Sequence, residues 1–282
     1  MKVFITGASG FIGRFLCNYF IKKGWIVYGL SRKDPDFNHK NFIWVQFGIE
    51  QDGLHIEPVD FCIHTAALSP NLNETTFSYI ENNVIGTNNV IQSIYDSGCK
   101  IFIFLSTVSV YGDVSDSIIN EDTKIINPSV YGTSKYLSEL QIIEQKSIKY
   151  AILRLPGVLG PEASTPWLAK IITKIKNNEN IMAYNRHGLF NNAVHVADLS
   201  SFISLILLNG NLLNKVYVLG AKDSMKIHEI IDYILLNTRS KSKVEYYAKL
   251  PLFTIDSSRA IEAGFSSMAL KMILKKQIQV TI

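Results

Sequence analysis

Cysteine is scarce in this chain of 282 residues: Cys17, Cys62 and Cys99 lie far apart, each in an apolar stretch. They give no CxxC pair, zinc spacing or disulfide framework and read as buried reduced thiols. Long apolar runs are missing too. The longest, such as 202–208, stop well short of the ~20 residues that a membrane span requires. The N-terminus carries one lysine and then a strand-like run ending in Thr-Gly, which is not a signal-peptide layout. Charge of one sign is also lacking, with 28 basic against 24 acidic residues and a net charge of +4. Without a clustered basic stripe, nucleic acid is not the expected partner. Hydrophobic residues make up 47% and charged residues 18%, enough for a packed core and no basis for disorder. The expectation is a soluble, cytoplasmic protein with one large domain, or a core domain and a smaller lobe.

What is present alternates. Short β-branched or aromatic runs at 3–5, 25–30, 42–47, 59–64, 101–105 and 150–155 read as strands, most of them apolar on successive residues. That is the pattern of strands covered on both faces. Between them, 11–23, 75–97 and 129–146 carry apolar residues at helical spacing. Such alternation builds a doubly wound parallel sheet with right-handed crossovers. Beyond about residue 156 the order loosens into helical stretches near 165–177, 197–208 and 226–237, with short strands at 192–196, 215–219 and 243–247. This predicts a dinucleotide-binding domain over 1–155. A mainly substrate-binding lobe follows over 156–282, with some segments returning to the sheet.

The first strand runs into Thr6-Gly7-Ala8-Ser9-Gly10-Phe11-Ile12-Gly13, then a helix. Gly7 permits the tight turn, Gly10 lets the backbone approach a pyrophosphate on the helix N-terminus, and Gly13 allows close helix–strand packing. Gly7, Ser9, Gly10, Phe11, Ile12 and Gly13 are therefore candidate cofactor residues. The second strand ends Tyr28-Gly29-Leu30-Ser31-Arg32-Lys33, with no acid until Asp34. Ser31 and Arg32 offer a hydroxyl and a planar cation suited to a 2′-phosphate, so NADP is expected over NAD. The competing reading of Arg32 is a solvated loop cation.

Tyr131-Gly132-Thr133-Ser134-Lys135 places a phenol and an ammonium four apart on one helix face. A phenol of ordinary pKa near 10 is a poor acid–base at neutral pH, and a neighbouring lysine, with an oxidised nicotinamide when bound, would lower it. Tyr19 and Lys23 share that spacing in the first helix with no chemistry implied, so company decides. Ser106 and Thr107 lie at the end of the strand over 101–105, where catalytic groups of open α/β sheets belong. Ala66 follows His64-Thr65 at the end of the preceding strand, and its small side chain would let a cofactor pass. His64 itself reads as a satisfied strand-end histidine. Asn83 and Gly86 sit inside a helix that gains nothing locally from them, which suggests close packing or a polar network.

Together, Thr6–Gly13, His64–Ala67, Asn83–Thr87, Ser106–Gly112 and Tyr131–Lys135 resemble the extended short-chain dehydrogenase/reductases, the sugar-nucleotide epimerase/dehydratase group. The likeness continues through Leu153–Pro161, Val194–Asp198 and Asp256–Phe265. The resemblance implies a Rossmann-type fold with Tyr131 as acid–base and Lys135 holding the nicotinamide ribose. By the same likeness Thr107 bonds the substrate oxygen, and the Asn83 backbone supports the lysine and a relay water.

Departures narrow the reaction. Val108-Ser109 replaces the Asp-Glu pair of the group's dehydratases. Gly157 and Asn191 stand where 4-epimerases carry an asparagine for the sugar and an arginine for the diphosphate; either Arg186 or Arg259 substitutes, or the substrate carries no nucleotide. Gly48-Ile49 replaces an acid and an aliphatic at the adenine. The implied function is an NADP-linked reductase or dehydrogenase acting on a sugar that carries a nucleotide. An NDP-sugar 4-epimerase with tightly bound NAD, or a non-catalytic NADP-binding regulator, are the alternatives. The group's dimer helices are those of Asn83 and Tyr131, where the Ile142-Ile143 face reads equally as a homodimer interface or as core.

Overall fold

The computed structural model describes residues 1–71, 73–248 and 252–281. Its framework is a seven-stranded sheet of β1 (Lys2–Thr6), β2 (Ile26–Ser31), β3 (Phe42–Gln46), β4 (Phe61–His64), β5 (Ile101–Thr107), β6 (Lys149–Leu155) and β7 (Lys215–Val218). The spatial order is β7-β6-β5-β4-β1-β2-β3. From β3 through β2, β1 and β4 to β5 every pairing is parallel, in the doubly wound arrangement expected. The order reverses between β1 and β4, so the crevice at their carboxyl ends is bounded by Thr6 and His64, which face each other in register. The expected coverage of both faces holds for β1 and β5: Val3, Phe4, Ile5, Phe102, Ile103 and Phe104 are all fully buried.

Three helices build the site. Helix α1 spans Phe11–Lys22. Helix α2 combines Thr76–Tyr79 and Gly86–Asp96 around a wider π-helical turn, Ile80–Ile85. Helix α3 spans Val130–Glu144 and starts at Ser129, whose hydroxyl accepts from the Gly132 N–H.

The chain forms two compact units and crosses between them several times. The first contains 1–113, 125–154 and 203–217; the second contains 114–124, 155–202 and 218–282. Each has its own core. Phe4, Val90, Ile94, Phe102, Phe104, Ile142 and Ile152 anchor the first. Ile171, Ile172, Ile230, Ile231, Ile234 and Ile273 anchor the second. The strand expected over 215–219 is β7, an edge of the main sheet. In the second unit, strand Gly157–Leu159 pairs with Ala193–His195, and Ile181–Tyr184 with Val244–Tyr247.

Candidate active site

The glycine turn is built as its spacing requires. Gly7 has φ +71°, and a Cβ there would stand 2.9 Å from the Ala66 nitrogen. At Gly13 a Cβ would meet the Gly7 carbonyl oxygen at 2.1 Å, so only glycine lets α1 sit this close to the turn. Gly10 donates its N–H to the Gly7 carbonyl at 2.9 Å. No side chain caps α1 at Gly10, and no acid lies in its first turn. Ser9 and Gly10 are exposed, and Phe11 and Ile12 half-buried. A cradle closed to any Cβ, under a 12-residue helix whose first N–H groups no side chain takes, fits a pyrophosphate.

Behind the turn runs a buried relay. The Thr6 hydroxyl accepts the N–H groups of Thr65 and Ala66, both at 3.1 Å, which leaves its proton for Nδ1 of His64 at 2.7 Å. Nε2–H of His64 then donates to Thr87 Oγ1 at 3.0 Å, and Thr87 donates to the Asn83 carbonyl at 2.5 Å. His64 is thus a neutral, fully satisfied histidine, and burial and then Lys135 hold its pKa well below the ordinary 6.5.

Asn83 is a hub between this relay and α3. Its Oδ1 accepts the Leu68 N–H at 2.7 Å, and its amide nitrogen donates to Leu68 O at 3.2 Å and Ser134 Oγ at 2.9 Å. Its carbonyl also accepts from Ser138 Oγ at 2.8 Å. That carbonyl, expected to face the lysine and a water, is held by two protein hydroxyls.

The acid–base candidates meet at the end of β5. Thr107 is buried, its Oγ1 accepts the Ser109 N–H at 3.1 Å and its hydroxyl donates to Ser109 Oγ at 3.2 Å; it lies near enough to the phenol of Tyr131 to pull its pKa down. The Tyr131 ring packs edge-on against Tyr79 at 6.2 Å between centroids. Burial pushes the Tyr131 phenol up to about 12, against the smaller opposing pull of Thr107, and Tyr79 raises it further. Among the chain's own groups, burial thus outweighs the lowering expected from the lysine. Lys135 is only 2% exposed and lies over the Phe104 ring at 3.9 Å. Burial pulls its ammonium down to about 7, while Glu139 one turn on works to hold the charge.

Sequence reasoning missed what lies beneath. Arg154 in β6 grips Glu139, with Nε at 3.1 Å from Oε1 and Nη2 at 2.7 Å from Oε2. Its Nη1 donates to the Tyr111 hydroxyl at 3.1 Å. The Ser106 hydroxyl donates to Glu139 in a short hydrogen bond. All four side chains are buried; Ser106 immediately precedes Thr107, and Glu139 follows Lys135 by one helical turn. The signal was available: Glu139 follows Lys135 by one helical turn, and Arg154 is a lone charge in an apolar strand.

At the adenosine end the structure separates the two candidates. Ser31 is 4% exposed; its hydroxyl donates to Lys33 O at 2.7 Å and accepts from the Trp44 indole at 3.2 Å. It is spent on its own loop, so the reading of Ser31 as a phosphate ligand is corrected. Arg32 is exposed and reaches toward Glu50. In the second unit, Asn191 is buried with its side chain paired to the Ile255 backbone, at 2.8 Å in both directions. Arg259 is held by Glu121 and Asp122, whereas Arg186 is exposed over the Tyr246 ring.

A family model described as the NAD dependent epimerase/dehydratase family matches residues 3–220. The chain belongs to this family. It is similar to a dTDP-D-glucose 4,6-dehydratase of Dictyostelium discoideum, 27% identical over 252 residues, 78% of this chain and 58% of that one. A mouse dTDP-D-glucose 4,6-dehydratase is 22% identical over 86% of this chain and 76% of its own. The chain thus spans little more than half the length of the first of these relatives. Among solved structures, UDP-glucuronic acid 4-epimerase from Bacillus cereus in complex with NAD superimposes with a TM-score of 0.87. The two chains are 22% identical, with 100% of this chain and 98% of that one covered. Dependence on a nicotinamide dinucleotide is a feature of the family. No helix among the described residues is long and apolar enough to cross a membrane, and no group of three or more candidate metal ligands occurs among them.

Proposed function

We propose that this family member moves hydride at a hydroxyl- or keto-bearing carbon of a sugar, with Tyr131 as the acid–base. The observation that carries this is the nearness of the Thr107 hydroxyl to the Tyr131 phenol at the carboxyl end of β5, with Lys135 one helical turn from Tyr131. A sugar oxygen placed between two such hydroxyls would be held by Thr107 and exchange its proton with Tyr131. A nicotinamide dinucleotide, when bound, supplies or accepts the hydride. Lys135, one turn from Tyr131, would hold its ribose, and Gly7, Ser9, Gly10, Phe11, Ile12, Gly13 and Ala66 its phosphates and backbone path. Asn83 serves by fixing α3 against the loop at Leu68.

We assign NAD rather than NADP, because the Ser31 hydroxyl donates to the Lys33 carbonyl and Arg32 faces the Glu50 carboxylate, which leaves a weak site for a 2′-phosphate. NAD favours the epimerase reading, in which retained cofactor returns the hydride to the same sugar. The dissociable NADPH of a reductase is the second reading, and the exposed guanidinium of Arg32 is what favours it. Val108 and Ser109 carry no acid–base pair, so dehydration is not assigned. Asn191 supplies no cation for a nucleotide diphosphate, which leaves exposed Arg186 as the candidate for that contact in the second unit. Exposed Leu137, Leu140 and Ile143 on α3, with Ile80 and Ile85 in α2, support a homodimer. Ile142, at 2% exposure, belongs to the core instead. The buried free thiols suit a reducing compartment such as the cytoplasm.

The test is mass spectrometry of small molecules released from natively purified protein. An epimerase yields stoichiometric NAD and needs none added. A reductase yields little dinucleotide and depends on supplied NADPH. Neither retention nor dependence would sink the redox assignment.

A further inference from the structure

The adenosine end holds a carboxylate that the strand pattern did not single out. Gly48 follows β3, and the place its Cβ would take is filled by the Glu50 side chain, with Oε1 only 2.4 Å from that position. The carboxylate therefore folds back over the strand end; its side chain is 22% exposed. The segment beneath it is fixed. Gln51 donates its N–H to Gly48 O at 3.0 Å. The Asn89 amide in α2 donates to Ile49 O at 3.1 Å and Gln51 O at 3.2 Å. Ile49 is buried and packs on Gly86, where a Cβ would be 2.9 Å from its Cδ1. Across from Glu50 stands Arg32, Nη1 to Oε1 at 4.0 Å, with 71% of its side chain exposed. Lys33 and Asp34 beside it are exposed and of opposite sign.

We infer that Glu50 is the residue that makes this site select NAD over NADP, by setting a carboxylate on a fixed backbone segment opposite Arg32 at the carboxyl ends of β2 and β3. This rests on the dinucleotide reading above. In doubly wound sheets an acid at this edge accepts the adenosine ribose hydroxyls, whereas an arginine receives a 2′-phosphate. Here both are present, so the balance between them decides. A phosphate brought onto the Arg32 guanidinium would lie within a few ångströms of Glu50. It would meet like charge there, on a cation already partly neutralised. Two free hydroxyls meet no such repulsion and can donate to the carboxylate. The acid missing from the end of β2 is thus supplied from beyond β3.

The experiment measures NADH and NADPH dissociation constants by nicotinamide fluorescence, on protein freed of bound nucleotide, for wild type and three variants. Glu50→Gln keeps the shape and removes the charge. Gly48→Ala keeps the charge and pushes the carboxylate out of its place; the atom displaced is the far end of a flexible side chain and the backbone there is not left-handed, so the variant folds. Wild type is expected to bind NADH roughly tenfold or more tighter than NADPH, and both variants to narrow that ratio by roughly tenfold. Adding Arg32→Ala to Glu50→Gln should abolish the gained NADPH affinity. A wild-type preference for NADPH, or a ratio unchanged in both single variants, overturns the inference while leaving the dinucleotide reading intact. Failure of wild type to bind either dinucleotide overturns that reading, and this inference with it.

Discussion

Arg154 and Glu139 form a buried, two-pronged ion pair beneath the acid–base site, with 2.7 Å between Nη2 and Oε2. Burying both charges is costly, so the pair is not itself a large source of stability, but halving it leaves an unpaired charge in the core. Arg154→Met is expected to cost ~3–5 kcal/mol. Adding Glu139→Leu should recover part of that, so that the double variant costs less than the two singles together. Urea unfolding of the four proteins gives the coupling, and simple additivity would contradict the pair's isolation from solvent.

Tyr131→Phe removes the transferable proton and leaves the ring packed on Tyr79. Turnover should fall by ~10²-fold or more, while dinucleotide affinity stays within about twofold. Steady-state kinetics alongside fluorescence titration separates the two. Equal turnover in the variant would rule Tyr131 out as the acid–base.

Lys135 gives stability a pH dependence of definite sign. Its ammonium is pulled from the ordinary 10.5 down to about 7. Between those values the unfolded chain holds a proton that the folded chain releases, so the cost of burying the charge is relieved as pH rises through 7. Stability should climb by at most ~1.4 kcal/mol per pH unit in that window. The buried thiols of Cys17, Cys62 and Cys99, raised by burial, act in the opposite sense once free thiols titrate above ~8.5. The comparison is therefore wild type minus Lys135→Met from pH 7 to 8.5, by urea unfolding. A difference that stays flat would mean the ammonium is not held in a desolvated place.

The doubly wound half was legible because its signals are local. Turn glycines, apolar strands and the Ser129 cap are each fixed by neighbours in sequence, and they mark the turn, β5 and α3. The helix expected without interruption over 75–97 instead widens at Ile80–Ile85, where the Asn83 carbonyl takes hydroxyls from Thr87 and, 55 residues away, Ser138. No periodicity reports such a partner. The same holds for Ile118–Ile119, which pairs with Thr254–Ile255 and draws 114–124 into the second unit. At the site, Tyr131 and Thr107 were readable from spacing and strand position. The direction of the Tyr131 shift was not, because it follows from burial, which only the packed neighbours determine. The surroundings of Ser31 were hidden for a related reason: its proton goes to the Lys33 carbonyl, and its oxygen accepts from an indole on the next strand.

Gly48 and Glu50 occupy one volume between them. A side chain arriving at 48 must evict the one at 50, and a shorter residue at 50 opens a hollow that only 48 can fill. Drift at these two positions is therefore bound together: a substitution at one is felt first as a packing fault at the other.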